Sequence, residues 1–314
     1  MKRVILILFF SIMSCLCFSQ SKVFLVGIGD YPSTNGWSKI NAANDIRILQ
    51  KTFHNSRITV LQDCDATYDG IISAMEKFTD SLSKGDTVIV HFSCHGQQML
   101  PLSEIPTAEP DSLDESLIPY DALHKYSNSY KGNKHLRDDE LTILINKVRA
   151  KVGENGFVIV TLDACHSDGL HRSPTNTDVV YRGSSTIFGN LSEAALKSLS
   201  AKQYQTESGQ ISLPLGYSHV IYIHACRSNQ VNRETIQNGL GYGSLSYSIY
   251  QTYQPGCLND IPSFIASLKS RMSKLAPIQN IVIRSSINLN SNSASTPPPA
   301  KKKTTALERL LNIF

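Results

Sequence analysis

Apolar positions fall along the chain in two rhythms. Short runs dominated by apolar and β-branched residues, at 22–27, 57–61, 87–95, 157–163, 219–225 and 281–284, have the length and composition of buried strands. Between them the apolar residues recur at helical spacing. Ala43, Ile46, Leu49 and Phe53 share one face. Ile71, Met75, Phe78 and Leu82 form another stripe behind Thr67, a residue suited to cap a helix. Leu141, Leu144, Ile145 and Val148 form a third, and further helices are predicted over 243–253 and from Asp260-Ile261-Pro262 onward. Strand alternating with helix predicts an α/β fold, a mostly parallel sheet covered by helices on both faces.

Two stretches break the rhythm. Residues 171–215 are rich in Ser, Thr and Asn and too long for an ordinary connection, which marks a functional or processed loop. Residues 286–314 form a Ser/Asn/Pro-rich tail carrying Lys301, Lys302 and Lys303, then a short amphipathic segment with Leu307, Leu310, Leu311 and Phe314. At the other end, Lys2-Arg3 precedes an apolar run from Val4 to Met13, and small residues around Cys17-Phe18-Ser19 suit cleavage. Residues 1–20 therefore read as a secretory signal, shorter than the roughly 20 apolar residues of a membrane span. The expected location is secreted or periplasmic; lipid attachment at Cys15 is a poorer match. The formal charge of +4, two fewer without Lys2 and Arg3, makes no case for a nucleic-acid partner.

Beyond the signal, Cys64, Cys94, Cys165, Cys226 and Cys257 make an odd set, as a chain with a reactive thiol would have in a disulfide-permissive compartment. Their spacing specifies no pairing. His95 and Cys165 carry most of the chemical information, because each follows an apolar strand run and ligands in parallel sheets sit beyond the carboxyl ends of the strands. Side by side, an imidazole and a thiol make a base and the nucleophile it activates. Gly96, with no Cβ, could aim its N–H at a developing oxyanion together with the N–H of Cys165. Cys94 is a second thiol without a distinct base, and His166 points away from its neighbour on an extended chain.

Several blocks, in order, resemble metacaspases and other bacterial caspase-like cysteine peptidases. They are Phe92-Ser93-Cys94-His95-Gly96, Asp163-Ala164-Cys165-His166-Ser167, the acidic stretch from Asp111 to Asp121, Leu136-Arg137-Asp138-Asp139-Glu140-Leu141, and the stretch from Ile223 to Gln230. The resemblance spans about residues 22–285. It implies a caspase-like three-layer sandwich on a six-stranded sheet, with 21–170 and 216–285 corresponding to the large and small subunits. It also implies a His95–Cys165 dyad, and a pocket from Asp45, Ser93 and Asp163 for the Arg or Lys of a protein or peptide substrate. Asp114, Asp138 and Asp139 match calcium ligands of the family, although Arg172 stands near the place of a further carboxylate. Cys94 and Asp168 also depart from the family pattern. A basic-specific peptidase would find Arg172, Arg182, Lys197 and Lys202 in its own loop. Two other readings stay open: a caspase-like module that binds without cutting, and a cysteine amidase or transpeptidase acting on other amides.

Overall fold

The first strand, β1 (Lys22–Gly27), pairs in parallel with β2 (Arg57–Gln62) on one side and with β3 (Thr87–Ser93) on the other. This is a computed structural model, and it describes residues 20–100, 113–165, 179–184, 186–190, 208–228 and 230–289. β4 (Gly96–Met99), β5 (Asp114–Leu117) and β6 (Leu136–Arg137) make a small antiparallel sheet of their own. The central sheet continues from β3 through β7 (Phe157–Asp163) to β9 (His219–His224), all parallel. β10 (Glu234–Gln237) and β11 (Leu240–Gly243) form a hairpin, and β12 (Val282–Ser285) closes antiparallel on β9. The edge is β8 (Gly209–Gln210), parallel to β12, so the described order is β2-β1-β3-β7-β9-β12-β8.

That makes seven described strands where the resemblance implied six. The extra one is β8, two residues paired with Arg284 and Ser285, too short to leave a periodic signal. The run ending at His95 also stops earlier as a strand, at Ser93.

The layers follow from the two-residue period of the strands. Phe24, Val26, Val88, Val90, Phe92, Val158 and Val160 turn to one face, under α2 (Tyr68–Asp80) and α3 (Asp138–Val152). Val23, Leu25, Ile89, Ile159, Ile221 and Ile223 turn to the other, under α1 (Ala42–Thr52), α4 (Ser244–Thr252) and α5 (Ile261–Leu275). The stripes of α2 and α3 are buried as their spacing predicted. Thr67 Oγ1 accepts from the Gly70 N–H at 3.1 Å, and Asp260 caps α5 by accepting from Ser263 N–H at 3.1 Å. These caps fix where the two helices start.

Candidate active site

β3 and β7 run in register, Ser93 opposite Asp163, so His95 and Cys165 each lie two residues beyond the tips of neighbouring strands. His95 is fully buried and stacked on Trp37, with ring centroids 5.0 Å apart. Its Nε2 lies 2.9 Å from the Ser38 carbonyl, which accepts only from an N–H, so the proton is assigned to Nε2 and Nδ1 carries the lone pair. Nδ1 is buried with no hydrogen-bond partner. Burial lowers the imidazole to about 4, opposed by the Ser38 carbonyl and reinforced by Arg182 and His124. At neutral pH the ring is an uncharged base.

Cys165 is also buried; its thiol donates to the Gln230 carbonyl at 2.5 Å. Its backbone N–H donates to the carbonyl of Arg182 at 2.8 Å. The segment that brings Arg182 there runs antiparallel to residues 232–234. Arg182 N–H donates to Asn232 O at 2.9 Å, Glu234 N–H donates to Val180 O at 3.0 Å, and Tyr181 bridges Arg233. An extended segment added to an exposed backbone edge is the usual way a peptide is gripped, main chain for affinity and pockets for side chains. The next residue, Gly183, lies so close that a Cβ there would come within 2.5 Å of the Cys165 carbonyl oxygen and 3.2 Å of its Cβ. The Arg182–Gly183 peptide bond thus lies directly against Cys165.

The Arg182 side chain fills an acidic pocket and has no solvent exposure. Nη2 lies 2.8 Å from Asp45 Oδ2 and 2.8 Å from Glu234 Oε1. Nε donates to the same Glu234 oxygen at 3.2 Å, and Nη1 donates to Ser93 Oγ at 2.8 Å. Asp163 stands further back, its Oδ1 3.8 Å from Nη1. Burial lowers the affinity of Arg182 for its proton, but the three carboxylates outweigh it and the net shift is upward. The acids are themselves held. Asp45 accepts from Ser93 Oγ at 2.7 Å and from Gly243 N–H at 3.0 Å. Asp163 accepts from Asn232 at 2.8 Å and from the Ser246 N–H and hydroxyl at 2.7 and 2.6 Å. Glu234 accepts from Asn41 N–H at 2.8 Å and its side-chain amide at 2.5 Å. Burial raises Asp163, yet Arg182, Asn232 and Ser246 bring it to a net lowered value. Asp45 ends up raised to about 6, burial being the largest cause and Arg182 the main opposing one. Gly243 keeps the pocket open, since a Cβ there would collide with Asp163 and with Arg182.

The structure therefore brings Asp45, Ser93 and Asp163 together. It adds Glu234, Asn232 and Ser246, which no motif flagged, and Asn41, which begins the stretch that carries Asp45. Gly96 opens β4 opposite Leu117. Cys94 packs into the α2–α3 core, where burial pushes its thiol up to about 12 and leaves it no nucleophile. Asp114 is paired with Arg137, at 8% and 10% side-chain exposure, and Asp138 and Asp139 occupy the first turn of α3. Among the described residues no three His, Cys, Asp or Glu converge on a cation position. With Asp114 already neutralised by a guanidinium, they do not fit a calcium ion, and no step below uses one. His166, Asp168, Arg172, Lys197, Lys202, residues 1–19 and the 290–314 part of the tail lie outside the described residues.

The caspase-domain family profile matches residues 20–294. The chain belongs to the caspase-domain family. Among curated relatives it is 29% identical to Metacaspase-4 of Arabidopsis thaliana over 160 residues, 48% of this chain and 34% of that protein. It is 22% identical to Metacaspase-1 of Schizosaccharomyces pombe over 267 residues, 74% and 59% of the two chains. The chain thus spans less than two thirds of the length of either relative. A crystal structure of a Geobacter sulfurreducens protein superposes with a TM-score of 0.54 at 21% identity, covering 84% of this chain and 93% of that one, and shares the fold. The mainly parallel sheet with helices on both faces is accordingly a caspase fold, and the family is one of cysteine peptidases.

Proposed function

We propose that the chain is a secreted or periplasmic cysteine endopeptidase that cleaves protein or peptide substrates after arginine, and less well after lysine. A His95–Cys165 dyad does the chemistry, and the loop supplies its own first substrate. The observation that carries this reading is Arg182: guanidinium among Asp45, Ser93 and Glu234, carbonyl oxygen on the Cys165 N–H, and main chain paired as a bound peptide.

In this mechanism the Cys165 proton, held toward Gln230 at rest, passes to His95 Nδ1 as the sulfur attacks the Arg182 carbonyl carbon. Negative charge builds on the oxygen already accepting from Cys165 N–H, with Gly96 N–H as the second donor. A donor of this kind is worth about 10²–10³ in rate. His95 then delivers its proton to the departing Gly183 amine. Water hydrolyses the acyl-enzyme, and departure of the segment opens the pocket to other substrates. His95 starts neutral, so its Nδ1 lone pair is in the form that accepts the proton.

The test is turnover of arginyl, lysyl and aspartyl amides by the purified chain. Hydrolysis of the arginyl amide with none of the aspartyl one supports the reading. A binding module releases no product from any of them, and a different amidase shows no preference for basic residues.

Two consequences concern the pocket. Glu234 takes two N–H groups of the guanidinium, and the Nε–H has no counterpart in a lysine ammonium. A hydrogen bond to a charged group contributes about 1.5–3 kcal/mol, so Glu234→Ala should lower the arginine-to-lysine ratio of kcat/KM by about 10–100-fold. An unchanged ratio removes Glu234 from specificity. The second consequence is a pH dependence. With Asp45 raised to about 6, it takes up a proton as pH falls through that value and loses its attraction for a guanidinium, while His95 stays neutral until about 4. Because these values belong to the pocket with a guanidinium in place, kcat for arginyl amides, which reports the enzyme–substrate complex, should fall below pH 6. In Asp45→Asn that limb should vanish from an already lowered profile; a limb that persists unaltered places the titration elsewhere.

A further inference from the structure

Cys226 is a buried thiol that the mechanism above does not use. It stands two residues beyond the end of β9, the parallel neighbour of β7, whose own continuation carries Cys165. The Ala225 N–H is still bonded to Leu162 O at 3.0 Å, so the two chains remain side by side past their formal ends. Both sulfurs turn to one acceptor: Cys165 Sγ lies 2.5 Å from Gln230 O, and Cys226 Sγ lies 3.6 Å from it. In the β7–β9 register, which pairs Leu162 with His224, Cys226 falls opposite Ala164, one residue from Cys165, and a disulfide needs the two side chains to turn from the shared Gln230 oxygen toward each other. The other described thiols are elsewhere: Cys94 in the core, Cys64 exposed on the surface, and Cys257 beside α5.

We propose that Cys165 and Cys226 form a reversible disulfide when the enzyme meets a peroxide, with Cys226 as the resolving thiol for the nucleophile. The proposal rests on the peptidase reading for the role of Cys165, but its chemistry is that of the pair. The Cys165 sulfur attacks one peroxide oxygen, the O–O bond breaks, and a sulfenic acid and one water result. The Cys226 sulfur then attacks the Cys165 sulfur, the S–O bond breaks, and the Cys226 proton leaves with the hydroxide as a second water. Two thiols have lost two electrons and one hydrogen peroxide has gained them. A sulfenic acid with a thiol beside it condenses to a disulfide; without one it is exposed to further, irreversible oxidation.

Two features favour Cys226 in this part. Its thiol is raised well above the ordinary value, first by its hydrogen bond to Cys165, then by burial and by the Cys165 charge. The Cys165 charge among these causes is gone once that sulfur is a neutral sulfenic acid, while the burial remains. Second, Arg182 and Gly183 cover Cys165 in the intact chain. The pair is sheltered until the segment has been cut and has left, so the disulfide belongs to the processed enzyme.

The experiment treats processed enzyme and processed Cys226→Ser with hydrogen peroxide, blocks remaining thiols, and maps the peptides by mass spectrometry before and after dithiothreitol. The wild type should yield a peptide cross-linked between 165 and 226, and dithiothreitol should restore most of its turnover. Cys226→Ser should turn over normally before treatment. After it, no cross-link should form, Cys165 should be found as sulfinic acid, and reductant should fail to restore activity. Cys226→Ala serves where the serine variant melts early. No cross-linked peptide in the wild type, or equal recovery in the variants, overturns the proposal. Because the cross-link is read by mass, it is scored even in a chain that hydrolyses no arginyl amide, which separates its failure from failure of the peptidase reading.

Discussion

Cys165→Ala should give a folded chain that stays in one piece and hydrolyses arginyl amides at least about 10⁴-fold more slowly than wild type, the order of loss seen when a hydrolase nucleophile is removed. The variant removes a buried sulfur bonded to the Gln230 carbonyl, so a change of a few degrees in melting temperature is expected and does not bear on the assignment. The discriminating readout is the pairing of two losses. Self-cleavage after Arg182 and turnover of external substrate should disappear together, because one thiolate performs both. Cleavage that survives in Cys165→Ala would mean a second nucleophile or a contaminating peptidase, and Cys94, with its thiol near 12 in the core, is not an available substitute.

Arg182→Ala should have the next largest effect, in the opposite direction for external substrate. In the intact chain the pocket is filled by a guanidinium among Asp45, Asp163 and Glu234, all fully or nearly fully buried. Deleting it leaves buried carboxylates without their cation, a loss of about 3–5 kcal/mol where the acids stay dry. Water entry and protonation of Asp45 reduce that cost, since Asp45 already stands at about 6 with the cation present. The variant should therefore melt several degrees lower and remain uncut at 182. With the guanidinium anchor gone, the uncut segment is held only by main-chain bonds that an arginyl substrate can displace, so the variant should turn over arginyl amides from the moment of mixing, whereas intact wild type should show a lag that tracks its own cleavage. Arg182→Lys separates charge from shape, because a lysine keeps the attraction but cannot offer Nε–H to Glu234. It should be cut, more slowly. A wild type without a lag, or an Arg182→Ala chain inert toward arginyl amides, would contradict an occupied pocket.

Much of the fold was legible in the sequence because strand and helix differ in period. The stripes Ile71, Met75, Phe78 and Leu141, Leu144, Ile145, Val148 are buried where their spacing put them. Asp45, Ser93 and Asp163 were reachable because they lie inside or beside those periodic elements, where a motif can be aligned. Glu234 was not, because it lies on a hairpin whose only strong local signal is the turn Asn238-Gly239, with φ of 51° and 77°, a pair that favours a two-residue hairpin. β8 was invisible at two residues. Arg182 appeared in the sequence as one of several basic residues in an aperiodic loop. What singles it out is long-range: contacts with Asp45, Ser93 and Glu234, from three separate parts of the chain, meet only after the sheet has formed. Local pattern carries no information about such a convergence.

The most direct test of the account is the new amino terminus made when the purified wild-type chain is incubated at neutral pH. Fragments should meet between Arg182 and Gly183, with none formed by Cys165→Ala and none at that bond by Arg182→Ala. An intact wild-type chain that nonetheless hydrolyses arginyl amides at full rate, or a cut at another basic residue with Arg182 left joined to Gly183, would contradict it.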